Sequence, residues 1–345
     1  MELRLLDRNA PKRKGMQKLV GITLHIDVVA ESERIVDALR ATVRGRFRKR
    51  GAVLGLSGGV DSSTVAYACQ RAFGAEHVLG VLMPEQDSSP DSARLAHEVA
   101  AQLGMRTQTV DITPALRALG CYERRDAAIK RVFPEYDPAT HGAKIVVPPH
   151  RLNSDRFNFF SVAIVDRNGD EQKRRLPVDA YLEIVAASNM KQRVRMLTLY
   201  GFAERHDYAV IGTPNRDEHE QGFFVKYGDG GADVQPIVHL FKTEVYQLAA
   251  HLGVPAEICE RPPTSDTYSA ASSQEEFFFG LPFATLDALW FAKDQGLSAE
   301  QAAAACGLTP VQVERAWNDI DGKARTTEYL RAAPVQLTPP TREAV

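Results

Sequence analysis

A run of small and acidic residues, Ser57-Gly58-Gly59-Val60-Asp61-Ser62-Ser63, carries the sharpest chemical signal in this 345-residue sequence. It follows a short apolar stretch, Ala52 to Leu56, and precedes helical spacing through Val65, Ala66, Cys69 and Phe73. The junction of strand end and helix start is where an open parallel sheet binds ligands. Glycine lets the backbone come close to an anion, and loop amides with the positive helix end then hold phosphate groups. Ser57 and Ser62 add hydroxyl donors. Asp61 is a poor neighbour for phosphate unless it holds Mg²⁺, which reverses the local charge logic. Glycine pairs also make plain turns, but a buried strand, this loop and a helix in succession point to a nucleotide. No GxxxxGK[ST] occurs, and no GxGxxG follows a strand, so this is neither a Walker loop nor a dinucleotide fingerprint.

Further candidates lie in the second half. Glu218 follows an apolar run, Tyr208 to Ile211, and reaches the same sheet edge as Asp61 if the sheet is parallel. Two such carboxylates complete an oxygen-ligated Mg²⁺ site bridging phosphates; alone, a Glu after a strand is a solvated loop residue. Lys242 stands at the start of a helix pattern, where a cation opposes the macrodipole and is better explained by bound phosphate. Gly228-Asp229-Gly230-Gly231 must be a loop, serving either as turns or as a close approach to a bulky ligand. Arg193 suits bidentate contact with a substrate phosphate, or is a helix-surface charge. No GxSxG elbow, HExxH or placed Cys-His pair is present, so preorganised charge rather than a side-chain nucleophile carries the chemistry.

These residues need a scaffold, and the pattern supplies one. Apolar runs Ala52 to Leu56, Val78 to Met83 and Thr107 to Ile112 alternate with helical spacing, which predicts a doubly wound parallel α/β sheet flanked by helices. A long helix, about Ala186 to Arg205, leads into the fourth strand at Tyr208 to Ile211. An amphipathic helix, Glu31 to Phe47, precedes the first strand; its basic end is read as cations favoured at a helix C-terminus. The stretch 121–185 reads as an insertion bearing a β-hairpin, because Asn168-Gly169 separates two strand-like runs. Residues 1–30 read as a tail, 31–290 as the main domain and 291–345 as a helical extension. Within that extension Gly307 sits between two apolar helical patterns, resembling a helix-turn-helix that serves as ordinary packing.

Composition narrows the function. A hydrophobic content of 44%, a charged content of 25% and a net charge of −2 describe a globular chain with no global pull toward nucleic acid or an anionic membrane. Cys69, Cys121, Cys259 and Cys306 are dispersed without a CxxC pair, which predicts reduced thiols and neither a zinc site nor disulfides. No apolar run approaches a membrane span, and no h-region marks a secretory signal, so a cytoplasmic location is expected.

The phosphate loop resembles the PP-loop of the ATP pyrophosphatases, which cut ATP between the α- and β-phosphates. Asn189-Met190-Lys191-Gln192-Arg193-Val194-Arg195-Met196 looks like the NxKxRxRM helix of the ammonia-dependent NAD synthetases within that superfamily. Gly212-Thr213-Pro214-Asn215-Arg216-Asp217-Glu218 resembles their GTxNxxE segment, and Gly222 to Asp233 is similar to GxFxKxGDGGAD. Leu240-Phe241-Lys242-Thr243-Glu244-Val245, Pro262-Pro263-Thr264-Ser265-Asp266 and Gln274-Glu275-Glu276 resemble further family segments in the same order.

The resemblance implies an adenine nucleotide alpha hydrolase-like fold and formation of NAD from deamido-NAD, ATP and ammonia, with AMP and pyrophosphate released. It places ATP against Ser57, Gly58, Gly59, Val60, Asp61, Ser62, Ser63, Met83, Thr213, Lys242 and Thr264. It places deamido-NAD at Arg193, Lys226 and Asp233, Mg²⁺ at Asp61 and Glu218, and the catalytic groups at Asp61, Asp229 and Lys242. Asp229 or Asp266 would assist loss of a proton from ammonium. Relatives of this kind are homodimers, and the apolar stripes of the helices Glu31–Phe47 and Ala186–Arg205 are candidate interfaces. Only about fifty residues precede the first strand, too few for a glutaminase domain, so free ammonia or a separate glutaminase partner is expected to supply nitrogen. Two departures stand out. The insertion is longer than in compact relatives, and the family's C-terminal basic pair has only Lys323, Arg325 and Arg331 as candidates. Rival readings are the same adenylation on another carboxylate, a tRNA-modifying PP-loop enzyme, and a non-enzymatic nucleotide sensor.

Overall fold

The computed structural model describes residues 22–146, 152, 160–264, 268–270 and 273–336, without the side chains of Glu276 and Phe277. Ser265 and Asp266, and all but the end of the 1–30 segment, lie outside the described residues.

Strands β1 (Gly51–Gly55), β2 (Val78–Leu82), β3 (Arg106–Thr109) and β7 (Tyr208–Val210) form a parallel sheet in the order β3-β2-β1-β7. Crossovers leave β1 toward β2 on one side while β7 lies on the other, so the chain end of β1 is a topological switch point. Alternation along each strand sends side chains to opposite faces. Ala52, Leu54, Val78 and Leu82 pack with α1 (Val28–Arg40), α2 (Val60–Phe73), α3 (Pro90–Leu103) and α8 (Lys242–Leu252). Val53, Leu79, Val81 and Val210 pack beneath Ala203 and Leu199 of α6 (Val178–His206). Both faces of β1, β2 and β7 are covered, which is why these strands are apolar without interruption, whereas the edge strand β3 is polar and largely exposed.

At 29 residues, α6 is roughly 43 Å long, and its partners change along its length. Its first turns, through Ala180 and Ile184, pack on a second sheet, and its last turns cover the main one. It begins earlier than the expected Ala186, because Ala180, Tyr181 and Ile184 carry an apolar face for that second sheet.

The second sheet is antiparallel, in the order β4-β5-β6, from Gly142–Val146, Ser161–Val165 and Glu171–Arg175. Its turn holds Gly169 at φ +88°, and the Asp166 carboxylate accepts the amides of Asn168 and Asp170. Two elements of this region go unread in the sequence: β4, whose Lys144 interrupts the apolar pattern to pair with Glu171, and α5 (Cys121–Val132). Ile145, Val162 and Ile164 bury a separate core against Ala128, Ile129, Phe133 and Tyr136.

After α8 come α9 (Ala256–Glu260), α10 (Phe283–Asp294), α11 (Ala299–Cys306), α12 (Pro310–Thr326) and α13 (Glu328–Arg331). Gly307 ends α11 at φ +68°, and Val313 and Ala316 of α12 pack against Leu289 and Ala292 of α10, so this helix pair is an internal packing unit. The stripe of α1, Ile35, Val36 and Leu39, is likewise buried within the chain and offers no interface. No helix among the described residues is long and apolar enough to cross a membrane.

Candidate active site

At the end of β1 the chain turns through Gly58, whose φ is +75°. A Cβ there would stand 2.4 Å from the Ser92 carbonyl oxygen, so only glycine fits both the conformation and the space. Ser57 and Ser62 close the loop into a ring: their hydroxyls lie 3.0 Å apart, the Ser57 amide donates to Ser62 Oγ, and the Gly59 amide donates to Ser57 Oγ. Helix α2 then starts at Val60 with no side-chain cap from Gly59. The first amides of a helix have no partner within it, so this end is open to an anion. Ser63 differs from the expectation. It is fully buried, donates to the Gly59 carbonyl at 2.8 Å and does not line the cleft, because the helix turns its side chain inward.

Beside this loop lie the two candidate metal ligands. Asp61, in the first turn of α2, accepts from Asn215 Nδ2 at 3.1 Å and ion-pairs with Lys242. Asn215 caps α7 (Arg216–Gln221) and forms a reciprocal box with Glu218, whose other oxygen accepts from Gln274 Nε2 at 3.2 Å. Burial and then the Asp61 charge push Glu218 up to about 8. Burial would lower Lys242, but Asp61 and then Glu218 hold it well above its ordinary value. Two crowded carboxylates that resist joint ionisation suit a hard, oxygen-seeking dication, which needs only one or two protein carboxylates when phosphates and water complete its shell. Lys242 is therefore not a free cation awaiting phosphate, as its place on the helix suggested. Its side chain is 1% exposed and its ammonium is matched to Asp61.

Helix α8 is itself held from behind. Asp217 Oδ2 accepts the Lys242 amide at 2.8 Å, and Asp287 Oδ2 accepts the amide and hydroxyl of Thr243. Both carboxyls are fully buried; burial and then the Asp287 charge raise Asp217, and burial raises Asp287 to about 6.

A cleft of about 750 Å³ runs from the phosphate loop across the sheet edge to α6. Ser57 to Ser62, Met83, Thr213, Thr264, Glu218 and Lys242 line one part; Arg193, Lys226 and Asp229 line the other. Arg193 is exposed and makes no hydrogen bond or ion pair among the described residues. Lys226 Nζ donates to the Tyr329 and Ala332 carbonyls at 2.7 and 2.8 Å, which ties the C-terminal α13 segment to the cleft rim. Asp229 opens to the cleft yet is ringed by protein. It accepts the Val225 amide at 2.7 Å, and burial pushes it up to about 6. The glycines around it answer to the chain itself: a Cβ on Gly230 would meet the Phe224 ring at 2.4 Å, and one on Gly228 would meet Gln192 at 2.9 Å.

Asp233 stands apart from the cleft. Its carboxylate accepts from the Val210 amide at 2.8 Å and Tyr200 OH at 3.1 Å, so it secures the end of β7. The three cations considered as a C-terminal pair also miss the cleft. Lys323 donates to the Phe278 carbonyl, Arg331 donates to the His219 and Glu220 carbonyls, and Arg325 is exposed elsewhere. Sequence reasoning missed Asn215 and Gln274 as partners of the two candidate metal-binding carboxylates. The N-x-x-E spacing of a capping box could have found the first; nothing local marks the second.

Comparison with known proteins agrees with this architecture. An ammonia-dependent NAD⁺ synthetase of Mesorhizobium japonicum is 51% identical, covering 90% of this chain and 97% of its own. One from Rhizobium meliloti is 50% identical, covering 93% and 95%. Among solved structures, an NMN synthetase from Francisella tularensis shares the fold at TM-score 0.60 and 21% identity, covering 91% of this chain and 99% of its own. The ammonia-dependent NAD synthetase of Campylobacter jejuni does so at TM-score 0.58 and 21% identity, covering 91% and 100%. The NAD synthase family profile matches residues 31–132 and 158–334, breaking only inside the 121–185 segment. The chain belongs to the NAD synthase family.

Proposed function

We propose that this protein makes NAD from deamido-NAD, ATP and ammonia, releasing AMP and pyrophosphate. The observation that carries the reading is one cleft that holds the open α2 end, the Asp61–Lys242–Glu218 cluster and the Arg193–Lys226–Asp229 wall. It stands in a chain half identical to ammonia-dependent NAD⁺ synthetases.

The substrate carboxylate attacks the α-phosphorus of ATP and pyrophosphate leaves. Ammonia then attacks the acyl-adenylate carbonyl, AMP leaves with the C–O electron pair, and the nitrogen sheds a proton. Both steps gather negative charge, so fixed donors do most of the work. The amides opening α2 and the Ser57 and Ser62 hydroxyls hold the departing pyrophosphate. Met83, Thr213 and Thr264 bind the rest of ATP, and Ser63 supports the loop from inside the helix. Asp61 and Glu218 would hold Mg²⁺, which supplies positive charge to the phosphates. Lys242 shares that cluster and neutralises it. Arg193, without a hydrogen bond or ion pair among the described residues, takes a phosphate of the dinucleotide, with Lys226 beside it. We assign Asp233 the support of β7 rather than contact with substrate. Asp229, ionised above about pH 6, accepts the proton from the attacking nitrogen.

We further assign the protein to the cytoplasm and to a homodimer formed through α6, whose Val178, Leu182 and Leu197 are exposed. Ammonia would come free or from a separate glutaminase. The deciding experiment supplies ATP, Mg²⁺, ammonium and a panel of carboxylates including deamido-NAD, with the amide identified by mass. AMP, pyrophosphate and NAD are expected; ADP with orthophosphate would sink the reading, and an amide of another acid would move it to that acid.

A further inference from the structure

Behind the cleft, α5 and α6 meet the loop after β2 through a buried set of charges. The ammonium of Lys191 donates to Glu85 Oε1 at 3.0 Å and to Asp87 Oδ2 at 2.7 Å. Arg125 of α5 pairs with that same Asp87 oxygen and with Asp126 at 2.9 Å. Tyr122 OH donates to Glu85 Oε2 at 2.8 Å, and the Asp87 amide donates to that oxygen at 3.1 Å. Burial would raise Asp87, but Lys191 and then Arg125 hold it below its ordinary value.

A buried ion cluster is often no more stable than apolar residues of the same volume, so its use here points to fixing one arrangement. The arrangement is that of the 84–89 loop. The Glu85 amide donates to Ser88 Oγ at 3.0 Å, and the Ser88 amide donates back to the Glu85 carbonyl at 2.9 Å. Pro84, Ser88 and Ser89 face the cleft, and the Ser92 carbonyl just beyond abuts Gly58 of the phosphate loop. Glu85, Asp87, Arg125 and Lys191 themselves do not line the cleft.

We propose that Arg125 and Lys191 are positioning residues for ATP: through Asp87 and Glu85 they clamp the 84–89 loop so that Ser88 and Ser89 stand beside the phosphate loop. The proposal rests on the reading that ATP fills this part of the cleft. It gives α5, which follows the ATP half in sequence and packs on α6, a part in nucleotide binding without contact. Lys191 also lies two residues before Arg193, so the same clamp sets the register of α6 at the substrate wall.

The test uses the full chain, with ATP varied at saturating deamido-NAD and ammonium, then deamido-NAD varied at saturating ATP. Arg125→Met should raise KM for ATP about tenfold while KM for the dinucleotide stays within about twofold, as for loss of ground-state binding. Arg125→Lys should recover most of that loss. A purely structural role would lower the melting temperature without an ATP-selective shift, and that result, or an equal rise in both KM values, overturns the clamp. If Arg125→Met does not fold, Asp87→Asn keeps the shape of the loop and must show the same ATP-selective rise; no rise overturns the clamp equally. Wild-type protein forming no AMP would remove the ATP reading and the clamp with it, whereas wild-type AMP formation with unshifted variants removes the clamp alone.

Discussion

Replacing Glu218 by glutamine is expected to abolish most of the pH dependence of magnesium binding. Burial and the Asp61 charge push Glu218 up to about 8, and a protonated carboxyl does not ligate a dication, so below that pH the ion must displace a proton. For one such proton the ionised fraction rises from about one-tenth at pH 7 to about nine-tenths at pH 9, and apparent Mg²⁺ affinity rises roughly tenfold. The assay is half-saturating Mg²⁺ by calorimetry, at pH 7, 8 and 9, with a fixed concentration of an ATP analogue that cannot be cleaved between the α- and β-phosphates. The γ-phosphate titrates in the same range for both proteins, so the difference between wild type and Glu218→Gln isolates the side chain. Glu218→Gln should bind Mg²⁺ more weakly and lack the extra tenfold. Equal pH slopes in the two proteins would refute the placement of Glu218 beside the ion. The same shift has a signature in stability. A carboxyl raised in the folded state holds its proton more tightly than the unfolded chain does, so without metal stability falls as pH rises from about 4.5 toward 8. Saturating Mg²⁺, which takes the ionised carboxylate, should remove that fall, and the glutamine variant should lack the fall with or without Mg²⁺.

Gly58→Ala places a Cβ 2.4 Å from the Ser92 carbonyl at a φ of +75°; about 1–2 kcal/mol of backbone cost alone is expected, with a lower melting temperature and loss of AMP formation, and unchanged turnover would refute the tight loop. Arg193→Ala should raise KM for the dinucleotide at least about tenfold with little change for ATP, since this guanidinium has no partner among the described residues to lose; a shift confined to ATP would move it to the other pocket. Asp287→Asn should flatten the decline of stability with pH between about 4 and 6, where the buried Asp287–Asp217 pair keeps protons that the unfolded chain has released, a slope of about 1.4 kcal/mol per pH unit for each proton. Chemical denaturation across that range measures it, and parallel curves for the two proteins would refute the shared burial.

The parallel sheet was legible because strands covered on both faces must be apolar throughout, and Ala52 to Leu56 and Val78 to Leu82 are. The phosphate loop was legible because Gly58 answers to a constraint within its own few residues. Helix α6 was only half legible: its partners change along its length, so no single periodicity marks its start. β4 was missed because its Lys144 finds its anion on Glu171, a residue no local window contains. Asp61→Ala looks harmless to the fold from sequence alone, yet Asp61 is the anion that the buried Lys242 ammonium pairs with, so an asparagine is the cleaner probe of its chemistry.

The amino-acid sequence by itself determined the phosphate loop, the alternation of strands and helices and the order of the family segments, all set by neighbours in the chain. Tertiary structure alone decided which charged and polar groups meet. Lys242 with Asp61, Gln274 with Glu218, and Lys191 and Arg125 with Asp87 lie from 38 to 181 residues apart. Each pairing exists because the sheet and α6 carry distant segments into one low-dielectric place, where an unmatched charge would be too costly to keep.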